Sequence, residues 1–138
     1  MKKTVLILLL AVIAGTGSYA QCNKRSVLTA STTEYLKSDG EIIKTVDELT
    51  TIEFDSKTIT LKPGDQVMNG TVEFISCDWK TPYKEGKTVF KAKIDAGEGQ
   101  TMQIMITIEG NGRYVTLHFE ESADKRIRLT LDKFEERK

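Results

Sequence analysis

Residues 87–134 read KTVFKAKIDAGEGQTMQIMITIEGNGRYVTLHFEESADKRIRLTLDKF, and this stretch decides the fold. Four runs within it alternate apolar and polar residues with a period of two, as half-buried strands do. Phe90, Ala92 and Ile94 share one face of the first run, opposite Lys91, Lys93 and Asp95. Met102, Ile104, Ile106 and Ile108 share a face of the second, Val115, Leu117 and Phe119 of the third, and Ile127, Leu129 and Leu131 of the fourth. A helix would need apolar residues three and four apart, which these runs do not supply. Ala96-Gly97-Glu98-Gly99, Gly110-Asn111-Gly112 and the polar Glu121–Lys125 separate the runs. Glycine and asparagine accept the positive φ of tight hairpin loops, and short loops force neighbouring strands to pair antiparallel. The result is a meander with one apolar face, which must be covered by a second sheet or by the sheet curling on itself.

Upstream, Ser26–Ala30 is a short β-prone run, and Asp39-Gly40 reads as a hairpin turn before Glu41–Val46. Thr32–Lys37 is long enough for a short helix but poor in helix formers. Thr51–Phe54 and Thr58–Leu61 form a second hairpin around Asp55-Ser56-Lys57, with Ile52 and Phe54 opposite Ile59 and Leu61. Val67–Lys80 is the longest strand candidate, with a break placed near Asn69-Gly70. It carries apolar residues on both faces: Val72 and Phe74 on one, Ile75, Cys77 and Trp79 on the other. Such a strand either bends between two layers or shows its outer face to a partner. The sum is an all-β, antiparallel up-and-down meander of about eight to ten strands forming a barrel or half-barrel, with little helix. Closure removes the sheet edges that otherwise invite aggregation.

Met1-Lys2-Lys3, the apolar Thr4–Ala14 and the small-residue segment ending Ser18-Tyr19-Ala20 have the proportions of a bacterial secretory signal peptide, residues 1–20, cleaved after Ala20. The apolar run is too short to span a bilayer. The protein is therefore expected to be exported, periplasmic or secreted. Acylation at Cys22 is the competing reading, although Gln21 stands where a lipobox carries a small residue. Residues 21–138 then form a single β-barrel-like domain with 18 basic and 20 acidic residues, a formal net charge of −2. That balance offers no electrostatic footprint for nucleic acid or anionic membrane, and no later apolar run could span a membrane. Cys22 and Cys77 are the two cysteines. Export permits a disulfide between them, worth about 4 kcal/mol by loop closure; the other outcome is a buried free Cys77 and an unpaired Cys22.

The order of the Ser26–Ala30 strand, the Asp39-Gly40 hairpin, the Thr51–Leu61 hairpin and the terminal meander resembles the small lipocalin-like (calycin) domains exported by Bacteroidota-type bacteria. The resemblance is architectural and spans most of residues 21–138. The Gly-x-Trp of a lipocalin's first strand has no counterpart, since Trp79 lies well downstream. What the resemblance implies is a barrel whose interior holds a small ligand.

The residues supply little for catalysis, and no enzyme activity or cofactor is expected. His118 is the single histidine and falls on the polar face of its run beside Thr116 and Glu120, away from any nucleophile. Two scattered cysteines and one histidine make no zinc site, and no loop has the carboxylate spacing of a calcium site. Gly97-Glu98-Gly99 lacks the third glycine and the following helix of a dinucleotide fingerprint. Binding remains. Trp79 and Tyr83 flank Pro82 near Lys80, Lys84 and Lys87, as aromatic and cationic residues do at a pocket mouth. Phe74, Phe90, Met102, Ile104 and Phe119 are the interior residues such a ligand would touch. Two functions follow. One is a binder of a small apolar or amphipathic molecule inside the barrel, which fails if Phe54, Phe74, Phe90 and Phe119 all meet and fill it. The other is an envelope-protein interaction module with a filled core and an exposed Ile75–Trp79 contact patch.

Overall fold

The computed structural model describes residues 22, 24–97, 99–122 and 125–137, so the signal-peptide expectation lies outside the described residues. Nine strands follow in order: β1 (Ser26–Leu36), β2 (Ile42–Phe54), β3 (Thr58–Pro63), β4 (Met68–Thr81), β5 (Glu85–Gly97), β6 (Gln100–Asn111), β7 (Val115–Ser122), β8 (Lys125–Thr130) and β9 (Lys133–Glu136). Each strand from β1 to β7 pairs antiparallel with the next. β1 closes the barrel. One of its edges pairs with β2 along nearly its whole length, and the other pairs with β8 over Thr33–Leu36 and with β9 over Ser26–Thr29. The meander read from residues 87–134 is thus half of a closed all-β barrel of eight strands, and β9 continues the course of β8 after Leu131-Asp132.

The apolar face of every meander run points inward. Phe90, Ala92, Ile94, Ile106, Ile108 and Leu117 are fully buried. Two local irregularities reset the inward face elsewhere. In β1 the register slips between Ala30 and Thr32, so Leu28 and Ala30 face inward before the slip and Thr33 and Tyr35 after it. The short helix allowed over Thr32–Lys37 does not form, because Thr32–Leu36 pairs back onto Ile42–Asp47 across the Asp39-Gly40 turn. In β4, Val72 pairs with Ala92 and Phe74 with Lys91, leaving Glu73 as an inserted bulge residue. The two-sided apolarity of this strand follows directly: Val72 faces in before the bulge, Ile75, Cys77 and Trp79 face in after it, and Phe74 is turned out to solvent. The break expected near Asn69-Gly70 is a few residues further on, and β4 runs unbroken through that dipeptide.

Cys22 and Cys77 form a disulfide with their α-carbons 5.9 Å apart. It ties the segment before β1 to the wall of β4. A loop of 55 residues is closed by this bond, worth about 4 kcal/mol in the chain-entropy account. Arg25 reinforces the same end: its guanidinium meets Asp55 at 3.1 Å and Glu53 at 3.4 Å, and Arg137 also pairs with Glu53.

Asp55 organises the β2–β3 turn. Its Oδ1 accepts hydrogen bonds from the backbone N–H groups of Lys57 and Thr58, both at 2.8 Å. Partial burial pushes its carboxyl upward, but the Thr58 and Lys57 N–H groups and the Arg25 charge outweigh it and hold the carboxyl below its ordinary value of 3.8. A depressed folded-state value stabilises the fold above the unfolded value, and that contribution is lost as pH falls through the folded value. Asp55→Ala is therefore expected to lower stability by about 1 kcal/mol at pH 7, the net worth of partly exposed bonds to a charged group. In urea titrations across pH, the gap between wild type and variant should close below about pH 3.8 and persist above it.

Candidate functional site

The barrel is solid at one end and hollow at the other. The solid end gathers the N-terminal part of β1, the β2–β3, β4–β5 and β6–β7 turns, and β9. Phe134 on β9 is its centre, lying 4.7 Å from the Tyr83 ring, 5.7 Å from Trp79 and 6.4 Å from Phe54, which in turn stacks on Phe90 at 4.9 Å. Aromatic pairs at such distances add to the burial of their area.

Trp79 is held on every side. Its indole N–H donates to Thr88 Oγ1 at 2.6 Å, satisfying the one polar atom the ring carries. Beneath the ring, Gly86 and Gly110 pair across β5 and β6. A β-carbon on Gly86 would run into the Trp79 backbone, and one on Gly110 would meet the Lys84 carbonyl and Trp79 Cζ3. The two glycines thus make a flat bed for the indole. Tyr83 closes the same end from the Thr81–Lys84 turn, where it takes a φ of 63° in the position after Pro82 that glycine usually fills. The Tyr83 hydroxyl shares a hydrogen bond of 2.9 Å with Ser26 Oγ, and burial pushes its phenol upward.

The opposite end is reached through the β1–β2, β3–β4, β5–β6 and β7–β8 connections. There the barrel encloses a cavity of about 260 Å³. Its deep part is built from Ile52, Leu61, Ile104 and Leu129, all buried. Met68, Met102, Phe119 and Ile127 line its walls. Thr33 and Thr50 bring the first polar atoms, and Tyr35, Glu48, Pro63 and Glu121 stand at the rim. Glu48 is lodged against Gly64 of the β3–β4 turn. The Lys44 ammonium lies 5.0 Å from the centre of the Tyr35 ring, a cation–π distance. A benzene molecule fits a cavity of about 150 Å³, so by scaling this one holds roughly ten non-hydrogen atoms.

The residues singled out from sequence separate into three groups. Met102, Ile104 and Phe119 line the cavity together. Phe90 belongs to the aromatic stack, while Trp79 and Tyr83 close the solid end rather than a mouth, with Trp79 only 4% exposed. Phe74 lies outside the barrel, 56% exposed. The exposed Ile75–Trp79 stripe is not formed, because the Glu73 bulge turns Ile75 and Trp79 inward. The four phenylalanines whose meeting would fill the barrel do not all meet: Phe54 and Phe90 stack, Phe119 borders the cavity and Phe74 points away.

Sequence reasoning missed Thr33, Tyr35, Glu48, Thr50 and Glu121. The available signal was the Asp39-Gly40 hairpin, whose arms must be of matched length and so carry β1 past Ala30 to Leu36. His118 sits on β7 opposite Thr107 and Arg128 in the register, and Arg128 is forked onto Glu34 at 3.0 and 3.2 Å. Among the described residues no three potential metal-ligating side chains gather, and no helix is long and apolar enough to cross a membrane. No protein-family model, curated protein or solved structure matches the chain.

The bed under Trp79 gives a direct test of the solid end. Gly110→Ala is expected to cost about 1–3 kcal/mol, the range of overpacking in a tight interior. Urea unfolding followed by Trp79 emission measures it. A wild-type transition midpoint in the variant would mean that the indole has room.

Proposed function

We propose that this protein is an exported, non-enzymatic carrier that holds one small apolar or amphipathic molecule in the hollow half of a lipocalin-like barrel. The observation that carries the reading is the cavity of about 260 Å³, walled by buried aliphatic and methionine side chains and reached from one barrel end. An eight-stranded barrel has the diameter at which the interior is either filled or takes one small ligand. Here the aromatic residues fill one half and leave the other to a guest. Methionines at positions 68 and 102 suit such a wall, since an unbranched thioether adapts to the shape it meets.

Export is supported by the basic head, apolar run and Ser18-Tyr19-Ala20 of the first 20 residues. It is also supported by the Cys22–Cys77 disulfide, a bond that persists in oxidising compartments. A Cys22 sulfur engaged in a disulfide has no valence left for a thioether lipid, which favours a free protein over an acyl-anchored one. The interaction-module reading rested on a surface stripe at Ile75–Trp79, and those side chains lie in the interior.

Fluorescence titration with 1-naphthol, a neutral fluorophore of the right size, tests the carrier reading. The wild type should show saturable binding of one molecule per chain. Ile104→Trp, which fills the deep part of the cavity, should weaken it by about tenfold or more, a loss of about 1.4 kcal/mol, while the melting temperature changes little. Absence of saturable binding to the wild type would end this reading.

A further inference from the structure

The cavity is apolar in its depth and acidic at its rim. Thr33 and Thr50 face it at 9% and 7% exposure. Neither hydroxyl has a hydrogen-bond partner among the described residues. Each hydroxyl opens onto the cavity rather than being sealed in the core, so a guest or water entering there can supply its partner. Further out, Glu48 and Glu121 border the same opening. Neither takes part in an ion pair among the described residues, so both carboxylates are open to a guest at the rim. No lysine or arginine lines the cavity among the described residues. The nearby Lys44 ammonium is placed over the Tyr35 ring.

We infer that the rim selects the ligand by charge: the guest is an amphiphile with a cationic, amine-type head at Glu48 and Glu121 and an uncharged apolar body in the barrel. This rests on the carrier reading above and adds the chemistry of the head group. Two carboxylates beside a low-dielectric opening favour a cation and repel an anion more strongly than they would in open water. A hydrophobic body alone does not discriminate, because amine, alcohol and carboxylate of equal chain length bury the same area. The rim carboxylates therefore separate molecules that the cavity treats alike. Thr33 and Thr50, able to donate or accept, serve a polar atom part-way along the guest without favouring either charge.

Isothermal titration of the wild type with octylamine, 1-octanol and octanoate at pH 7, and of Glu48→Gln/Glu121→Gln with the same three, tests this. Octylamine should bind at least about tenfold more tightly than octanoate, with 1-octanol between them, and the double variant should bring amine and acid to within about threefold. Glutamine keeps the size and hydrogen-bonding capacity of the rim, so a narrowed gap reports charge alone. Equal or tighter binding of octanoate by the wild type overturns the inference and leaves the carrier reading in place. An amine preference that survives in the double variant also overturns it, since its source then lies elsewhere. Failure of all three, together with 1-naphthol, removes the carrier reading and this inference together.

Discussion

Everything in this fold depends on β1 using both of its edges. A strand bonded on one side leaves a row of unpaired N–H and C=O groups on the other, which is a template for aggregation. Here β2 takes one edge and the β8–β9 pair takes the other, dividing β1 between them at the register slip near Ala30–Thr32. That division has a consequence for the interior. The first half of β1 sends Ser26, Leu28 and Ala30 inward beside β9, and β9 brings Phe134. The second half sends Thr33 and Tyr35 inward beside β8. One strand thus contributes small and aliphatic side chains to a packed end and polar ones to an open end.

The large rings are shared unevenly along the barrel. Phe54, Trp79, Tyr83, Phe90 and Phe134 are all spent on the solid end, where ring contacts, the Trp79–Thr88 hydrogen bond and the Cys22–Cys77 bridge reinforce one another. The solid end also carries the Arg25–Glu53–Asp55 contacts on its surface. Of the phenylalanines, Phe119 alone stands at the cavity. Interior threonines and rim glutamates cannot pack like rings, and they leave their polar groups open to the cavity. A stable closed end is what allows the other end to be underpacked without loss of the fold, since voids cost stability wherever they occur.

The meander was legible because its strands obey an unbroken period of two, so Phe90 to Ile94, Met102 to Ile108 and Val115 to Phe119 could be assigned faces from the sequence alone. Met102, Ile104 and Phe119 fell into place at the cavity for that reason. Trp79 and Phe74 exchanged faces because a single inserted residue, Glu73, reverses the alternation, and nothing about a glutamate on a strand announces a bulge. The apolarity of both faces was the trace it left. Thr33 and Tyr35 were hidden by the slip in β1, which moves the inward phase from even to odd positions. Phe134 was out of reach for another reason: β9 is four residues long, and its partner lies at the other end of the chain. Glu48 and Glu121 looked like solubilising charge because a rim position is set by the shape of the closed barrel, which alternation does not encode.

One half of this barrel is packed and the other hollow. Methyl NMR under xenon pressure tests it most directly, because xenon enters dry apolar cavities. Saturable shifts are expected at the methyls of Ile52, Leu61, Ile104 and Leu129, with the Trp79 indole N–H and the Ile59 methyls unmoved. Shifts spread evenly through both ends, or none at Ile104 and Leu129, would contradict it.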